Sequence, residues 1–167
     1  WLEPLARDAN AAGSALIVGA PIADPAGDGL FNGIVAVSDS PQFYYKRHLV
    51  PFGEYVPLRN FAGGLFDFIG APLGDFNAGT SAAPLSVAGH QIGMSICYEV
   101  TFGAELLDGL PEAEILLNVS NDAWFGESAA PWQHLQMARM RALETARPLL
   151  RATNTGVSAI IDQRGQI

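Results

Sequence analysis

The chain has 167 residues, of which 49% are hydrophobic and 16% charged, a balance that indicates a globular domain and excludes a disordered chain. Its formal net charge of −8 argues against nucleic acid as a partner, because phosphate binding needs clustered Lys and Arg side chains. No apolar stretch reaches the roughly 20 residues of a membrane-spanning helix, and a single cysteine excludes an internal disulfide.

The first part of the chain predicts one helix and three strands. Apolar spacing predicts a helix over residues 2–12, and Gly13 ends it. The apolar run 14–21 predicts a strand that is covered on both faces of its sheet. Residues 31–37 and 42–49 predict two further strands, and their close succession favours antiparallel neighbours.

The second part of the chain alternates strands with helices. Its predicted elements are a hairpin of strands 85–87 and 90–97, a short helix over 102–110, a strand over 115–119, a helix over 131–147 and a strand or strand pair over 149–162. The residues predicted on the sheet-facing side of the long helix are Leu135, Met137, Ala138, Met140, Leu143 and Ala146. Hairpins mixed with strand–helix–strand units predict an α/β (α+β layered) domain with its helices outside a sheet core.

Cys97, the only cysteine, is the most informative position. It ends a predicted strand and is followed directly by Tyr98 and Glu99, an arrangement that commonly presents a nucleophile. A thiol acyl-transfer site also needs a cation that stabilises the thiolate and the oxyanion, and a base that moves the proton. Lys46 ends another predicted strand, with Glu54 and Glu99 as flanking carboxylates. Strands that end on the same edge of a sheet would bring these side chains together.

Several motifs carry a family resemblance. Residues 45–58, 96–99, 120–126, 131–134 and 151–156 resemble the nitrilase (carbon–nitrogen hydrolase) superfamily, and within it the bacterial apolipoprotein N-acyltransferase family. The resemblance spans essentially the whole chain, so that residues 1–167 are identified as one catalytic domain of this kind. It implies a nitrilase-like αββα sandwich of which this chain contains a part.

The resemblance also implies a Glu-Lys-Cys triad and a role for each matching residue. Cys97 is the implied nucleophile, which takes an acyl group from a phospholipid as a thioester, while Lys46 and the backbone N–H of Tyr98 stabilise the oxyanion. Glu54 is implied to orient Lys46 and the attacking amine of a lipidated apolipoprotein, the acyl acceptor. No cofactor is implied, and the histidine spacing does not fit a metal site. The residues implied to shape the pocket are Tyr98, Glu99 and Trp124.

The general-base glutamate of the triad belongs to a Pro-Glu motif ahead of the first helix, and the chain lacks that motif there. Glu3 is the nearby candidate, but it precedes Pro4 within the predicted helix. We therefore expect the base upstream of Trp1, together with membrane-spanning segments, and further strands beyond Ile167. The chain is then a piece of a longer protein of the bacterial inner membrane, with this domain in the periplasm.

The segment 59–76 is rich in glycine and aromatic residues and predicts a loop, with or without a short helix. Contact with a bilayer or with acyl chains would cover its apolar side chains, which water would leave as a costly patch. The alternative is that they pack on the domain's own sheet. The predicted lipid-facing residues are Phe61, Leu65, Phe66 and Phe68.

Two other functions and several structural interpretations stay open. The chain could be a soluble nitrilase-type amidase, in which water replaces the lipoprotein amine, or an inactive fragment that lacks its base. Arg47 and His48 are interpreted as anchors of their loop. His134 is interpreted as a structural histidine on a helix face, with a position in the pocket as the alternative. Asn121 and Asp122 are interpreted as caps of a turn.

Overall fold

The computed structural model of the protein describes residues 2–27, 29–38, 40–55, 57 and 76–167, which form two β-sheets flanked by helices. None of the helices in this part of the chain is long and apolar enough to cross a bilayer. The helices are α1 (Glu3–Ala11), α2 (Gly103–Leu106) and α3 (Ala130–Thr145), with 3-10 helices at Cys97–Thr101, Leu107–Gly109 and Asp122–Phe125.

The first sheet confirms the predicted antiparallel neighbours. Its strands are β1 (Leu16–Ala23), β2 (Leu30–Val37), β3 (Gln42–Tyr45) and β4 (Phe76–Asn77). The first three pair antiparallel in chain order, and β4 pairs parallel with β2. The prediction that the third strand continues to residue 49 is wrong. It ends earlier because the backbone N–H groups of Arg47 and His48 donate to the Glu99 carboxylate and not to a neighbouring strand.

The second sheet places three parallel strands at its centre. Its strands, in spatial order, are β5 (Leu85–Val87), β6 (His90–Ile96), β7 (Ile115–Ser120), β8 (Leu149–Thr153) and β9 (Ala159–Ile161). β6, β7 and β8 are parallel, whereas the two outer strands pair antiparallel, which confirms the predicted hairpin and strand pair. Parallel strands deliver their carboxyl ends to one edge, where sites commonly form.

Two apolar clusters separate the layers. The sheets face each other across the first cluster, and α3 packs on the other side of the second sheet through the second cluster. Helix α1 packs against β1 and buries Ala6. This order of layers confirms the predicted α/β sandwich. The first cluster includes Ile34, Tyr44, Met94, Ile96 and Leu117, and the second includes Leu116, Leu135, Ala138, Ala142 and Leu149.

β1 and α3 expose faces that were predicted to be covered. Beyond Val18, the side chains of β1 alternate between half-buried and exposed, because an antiparallel edge strand commonly keeps one face in water. In α3, Met137, Met140 and Leu143 are 43%, 39% and 51% exposed, so their predicted sheet-facing position is wrong, whereas that of Leu135 and Ala138 is confirmed. The small side chains of Ala138 and Ala142 allow the helix to approach the sheet closely.

Candidate active site

Cys97 lies in a strained turn at the carboxyl end of β6. It begins a 3-10 helix with a φ of 50°, in the left-handed region that a residue with a side chain adopts only at a cost. The half-buried residue borders a pocket of about 230 Å³. The other lining residues include Tyr98, Phe125 and a stripe of α3 formed by Ala130, Gln133, His134 and Met137.

Lys46, the only lysine of the chain, is buried directly after β3. Its side chain is 1% exposed, and its Nζ lies 2.6 Å from Oε2 of Glu54. A buried ammonium needs such a partner, because the cost of removing it from water is otherwise uncompensated. Asn32 Nδ2 donates to the other Glu54 oxygen at 2.6 Å, and the Val50 backbone N–H donates to Oε2 at 2.7 Å. Glu54 is thus held on several sides and fixes the position of the ammonium.

Glu99 joins the segment that carries the lysine to the turn that carries the cysteine. Its buried carboxylate accepts the backbone N–H groups of Arg47 at 2.7 Å, His48 at 3.1 Å and Ile96 at 2.7 Å. The Tyr44 hydroxyl lies 3.0 Å from both carboxylate oxygens. Burial, with the Glu99 charge beside it, raises the pKa of Tyr44, so the hydroxyl remains a donor. We call Tyr44, Lys46, Glu54 and Glu99 the charged cluster.

The expectation that Lys46 and Cys97 end strands on one edge of one sheet is wrong. Lys46 follows β3 of the first sheet, whereas Cys97 follows β6 of the second. The two sheets pack face to face, and Glu99 spans between the two strand ends. Packing of the sheets, rather than a shared edge, sets the relation between the two residues.

The remaining predicted site residues lie in different surroundings. Tyr98 is 40% exposed and meets the Phe102 ring edge-on at 4.9 Å. Trp124 is 81% exposed, and its neighbour Phe125 lines the pocket instead. Glu3 is exposed in the first turn of α1. The predicted lipid-facing residues lie outside the described part of the chain, namely Phe61, Leu65, Phe66 and Phe68.

Arg47 and His48 anchor their loop, as predicted. The Arg47 guanidinium donates to the Asp108 carboxylate at 2.8 Å and to the Glu105 carbonyl at 2.6 Å. His48 Nδ1 lies 2.8 Å from the Glu105 carboxylate. Among the described residues, no group of three or more His, Cys, Asp and Glu side chains is placed to hold a metal ion.

A buried polar layer, which the sequence interpretation missed, lies between the second sheet and α3. Ser95, Asn118 and Arg151 are register partners on β6, β7 and β8. Side chains alternate along a strand, so Asn118 and Arg151 share the helix-facing side with Leu116 and Leu149. Asn118 Nδ2 donates to Ser95 Oγ at 3.0 Å, and Arg151 donates to Asn118 Oδ1. The sequence signal for this polar layer is one polar residue inside each of three apolar runs.

Asp122 and His134 complete this polar layer. Arg151 donates to Asp122 Oδ2 at 2.9 Å, and the side chains of this ion pair are both 0% exposed. His134 Nδ1 lies 3.1 Å from Asp122 Oδ1 and 3.0 Å from an Arg151 nitrogen, while Nε2 lies 3.1 Å from the carbonyl oxygen of Cys97. Burial and then the Arg151 charge lower the pKa of His134, although Asp122 opposes them. Asn121 does cap its turn, through a bond from the Ala123 N–H at 3.1 Å.

Relatives of known name match the whole chain. A protein of Nitrosomonas europaea named apolipoprotein N-acyltransferase is 48% identical over 169 residues, which cover 100% of this chain and 34% of the relative. A protein of the same name from Methylococcus capsulatus is 50% identical over 167 residues, covering 99% of this chain and 33% of the relative. The chain therefore spans about a third of the length of the curated relatives that it matches.

Solved structures and a family model place the fold. A carbon–nitrogen hydrolase of Helicobacter pylori superposes with a TM-score of 0.71 at 16% identity, covering 97% of this chain and 59% of that one. A nitrilase-superfamily member of Saccharomyces cerevisiae gives 0.70 at 18% identity, with 99% and 58% covered. The carbon–nitrogen hydrolase family model matches residues 1–167. The chain therefore belongs to the carbon–nitrogen hydrolase family.

Proposed function

We propose that the protein acts as an apolipoprotein N-acyltransferase. It takes a fatty acyl group from a phospholipid as a thioester on Cys97 and then transfers it to the N-terminal amine of a lipidated lipoprotein. The observation that carries this proposal is the 48–50% identity, along the whole chain, to relatives of that name. The turn that presents Cys97 at a pocket lined by Tyr98, Phe125 and Met137 supports it, because that lining suits methylene groups.

In the first half-reaction, the Cys97 thiolate attacks the ester carbonyl carbon of the phospholipid. The carbonyl electrons move to oxygen, and the Lys46 ammonium and the Tyr98 backbone N–H stabilise the resulting oxyanion. Collapse of this intermediate breaks the C–O bond and leaves a thioester. The thiol proton passes to a general-base glutamate, which then donates it to the departing lysophospholipid oxygen. The family resemblance implies such a glutamate, and we propose that it lies upstream of Trp1.

In the second half-reaction, the lipoprotein α-amine attacks the thioester carbonyl. The C–N bond forms, the C–S bond breaks and the thiolate is restored, while the base removes the amine proton. Glu54, which holds Lys46 at 2.6 Å, keeps the ammonium in place through both steps and orients the amine. We propose accordingly that the protein acts at the bacterial inner membrane, with this domain in the periplasm.

The test measures the thioester and the product separately. The full-length protein is incubated with phospholipid, and mass spectrometry looks for an added acyl mass on Cys97 before and after a lipidated peptide is supplied. Cys97→Ser should abolish both the adduct and the N-acyl peptide while it retains the fold, because a hydroxyl is far less ionised than a thiol. A Ser variant with most of the turnover would contradict the mechanism. Acylation of Cys97 by simple amides followed only by hydrolysis would indicate an amidase.

The segment 59–75, which the sequence predicts as a loop and which lies outside the described residues, is proposed to face lipid. Phe66→Ser combined with Phe68→Ser in the full-length protein should impair use of phospholipid more than it lowers the melting temperature. If the double variant unfolds while its folded fraction transfers acyl groups normally, the loop belongs to the protein core.

A further inference from the structure

We infer that His134 is a positioning residue that aims the backbone N–H of Tyr98, through the peptide bond between Cys97 and Tyr98, at the oxyanion. His134 Nε2 lies 3.1 Å from the carbonyl oxygen of Cys97. This role presupposes the proposed function, since the direction of that N–H matters when a carbonyl is attacked at the thiol.

The geometry of the peptide bond makes the connection. A trans peptide is planar, and its C=O and N–H groups point in opposite directions. The bond between Cys97 and Tyr98 is trans. A donor that holds the Cys97 carbonyl on the α3 side therefore turns the Tyr98 N–H to the opposite side. Cys97 has a left-handed φ of 50°, which is a strained backbone conformation. If the hydrogen bond to its carbonyl is lost, the backbone can relieve this strain, and the peptide plane then turns.

The proton on His134 can be placed from its neighbours. Nε2 faces a carbonyl oxygen, which only accepts, so this nitrogen carries a proton. The lowered pKa of His134 leaves the ring neutral near pH 7, with that single proton. Nδ1 then accepts from the Arg151 guanidinium at 3.0 Å. Asp122 Oδ1 accepts a hydrogen bond from the Ser120 hydroxyl at 2.6 Å, and Oδ2 accepts one from Arg151. Neither carboxylate oxygen therefore needs a hydrogen bond from the His134 ring. Arg151 thus fixes the tautomer that donates to Cys97.

The support is specific to this carbonyl. Asn118 Nδ2 lies 3.5 Å from the same oxygen, too far to replace the histidine as the main donor. The polar layer behind His134 is nearly inaccessible to solvent, since Asn118, Asp122 and Arg151 are 0%, 2% and 3% exposed.

Two amide substitutions separate positioning from packing. In His134→Gln the side-chain amide extends to the location of Nε2 and reaches the Cys97 carbonyl. In His134→Asn the amide ends near the location of Nδ1 and meets only Asp122 and Arg151. Both variants retain a polar side chain in the polar layer. His90→Asn is the matched control, because His90 also pairs with a carboxylate, that of Glu114, but is 59% exposed.

The experiment measures two reactions of Cys97 in the full-length protein. Acylation by p-nitrophenyl acetate passes through an oxyanion, whereas alkylation by iodoacetamide does not, and mass spectrometry assigns both to Cys97. We expect His134→Asn to slow acylation about tenfold while alkylation stays within about twofold, since a misdirected donor affects only the oxyanion. His134→Gln should retain both rates within about threefold, and His90→Asn should change neither.

Equal acylation rates in the Asn and Gln variants, or a parallel fall of acylation, alkylation and melting temperature, would show that His134 only packs, and would overturn the inference. The readout does not use a phospholipid. If the Cys97→Ser protein retained acyl transfer, the proposed thioester mechanism would fail, yet the ratio of acylation to alkylation in the His134 variants would still report on the peptide plane.

Discussion

The charged cluster and the polar layer contact the Cys97 turn by different means, the first through Glu99 and the second through His134. Lys46 and Glu54 of the charged cluster follow β3 of the first sheet, and Glu54 holds the buried ammonium. The polar layer belongs to the second sheet and α3, and its ion pair between Arg151 and Asp122 is sealed from solvent. In the proposed mechanism, the charged cluster supplies charge to the reaction and the polar layer supplies direction to the backbone. Substitutions in the two regions should therefore change different measured quantities.

Lys46→Arg should break the charged cluster most severely. The substitution retains the charge but replaces a compact ammonium with a wide planar guanidinium in a site that is 1% exposed. We expect acyl transfer to fall about a hundredfold or more, as when an oxyanion donor is removed. The pH dependence of Cys97 alkylation should also shift if the ammonium stabilises the thiolate. Arg47→Lys is the neighbouring control and should have a much smaller effect, since Arg47 bonds Asp108 and Glu105 away from the thiol.

Glu99→Gln should break the link between the two strand ends. The amide NH₂ would face a backbone N–H, because both oxygens of Glu99 accept from donors. A buried donor left without an acceptor costs about 2–3 kcal/mol, which chemical denaturation can measure. Glu114→Gln, at a carboxylate that is 57% exposed, should change stability little. Equal stability of the two variants would show that Glu99 does not hold the strand ends together.

Gly156→Ala tests the polar layer through its contact with Asp122. Gly156 has a φ of 106°, and an added methyl carbon would lie 2.9 Å from Cβ of Asp122. Gly89→Ala gives the backbone cost alone, because Gly89 has a φ of 82° and no heavy atom within 4 Å of an added methyl. We expect Gly156→Ala to be more destabilising by about 1 kcal/mol and to slow acylation of Cys97. Identical losses would show that Asp122 moves aside freely.

The smallest effect concerns pH. The pKa of His134 is lowered in the folded protein, mainly by burial, so the unfolded chain binds a proton first as the pH falls. The stabilisation is complete above the unfolded value of about 6.5 and is lost as the pH falls from there towards the lowered folded value. One group can contribute a slope of at most about 1.4 kcal/mol per pH unit. Between pH 5 and 7, the melting temperature should therefore depend less steeply on pH for His134→Gln than for the wild-type protein.

The fold was largely predictable from the sequence because each apolar run and turn is local. Helix α1 and the hairpin of β5 and β6 lie within a residue or two of their predicted bounds. The errors arise where a residue distant in sequence determines the end or the buried face of an element. The end of β3 depends on Glu99, which accepts the N–H groups of the next residues. The buried face of α3 depends on how closely Ala138 and Ala142 approach the sheet, which periodicity alone does not determine.

The candidate site was predictable to the extent that its residues lie in continuous motifs. Lys46 and Glu54 are eight positions apart and form the expected close pair. Asn32, which bonds Glu54, lies far along the chain and carried no local signal. Arg151, which bonds Asp122, carried only the signal of a polar residue inside an apolar run. His134 was interpreted as structural, and its contact with the Cys97 carbonyl emerges only when α3 packs over the parallel strands.

One wall of the pocket is a single helical stripe at spacings of three and four residues, Ala130, Gln133, His134 and Met137. The anchor of the Cys97 turn and the side chains that bound the pocket therefore share one helix. Exchanging Ala130 or Met137 for larger or smaller residues would resize that space without altering the register of His134. Preference for the acyl group could thus diverge among proteins with this arrangement while the helix and the chemistry at Cys97 stay constant.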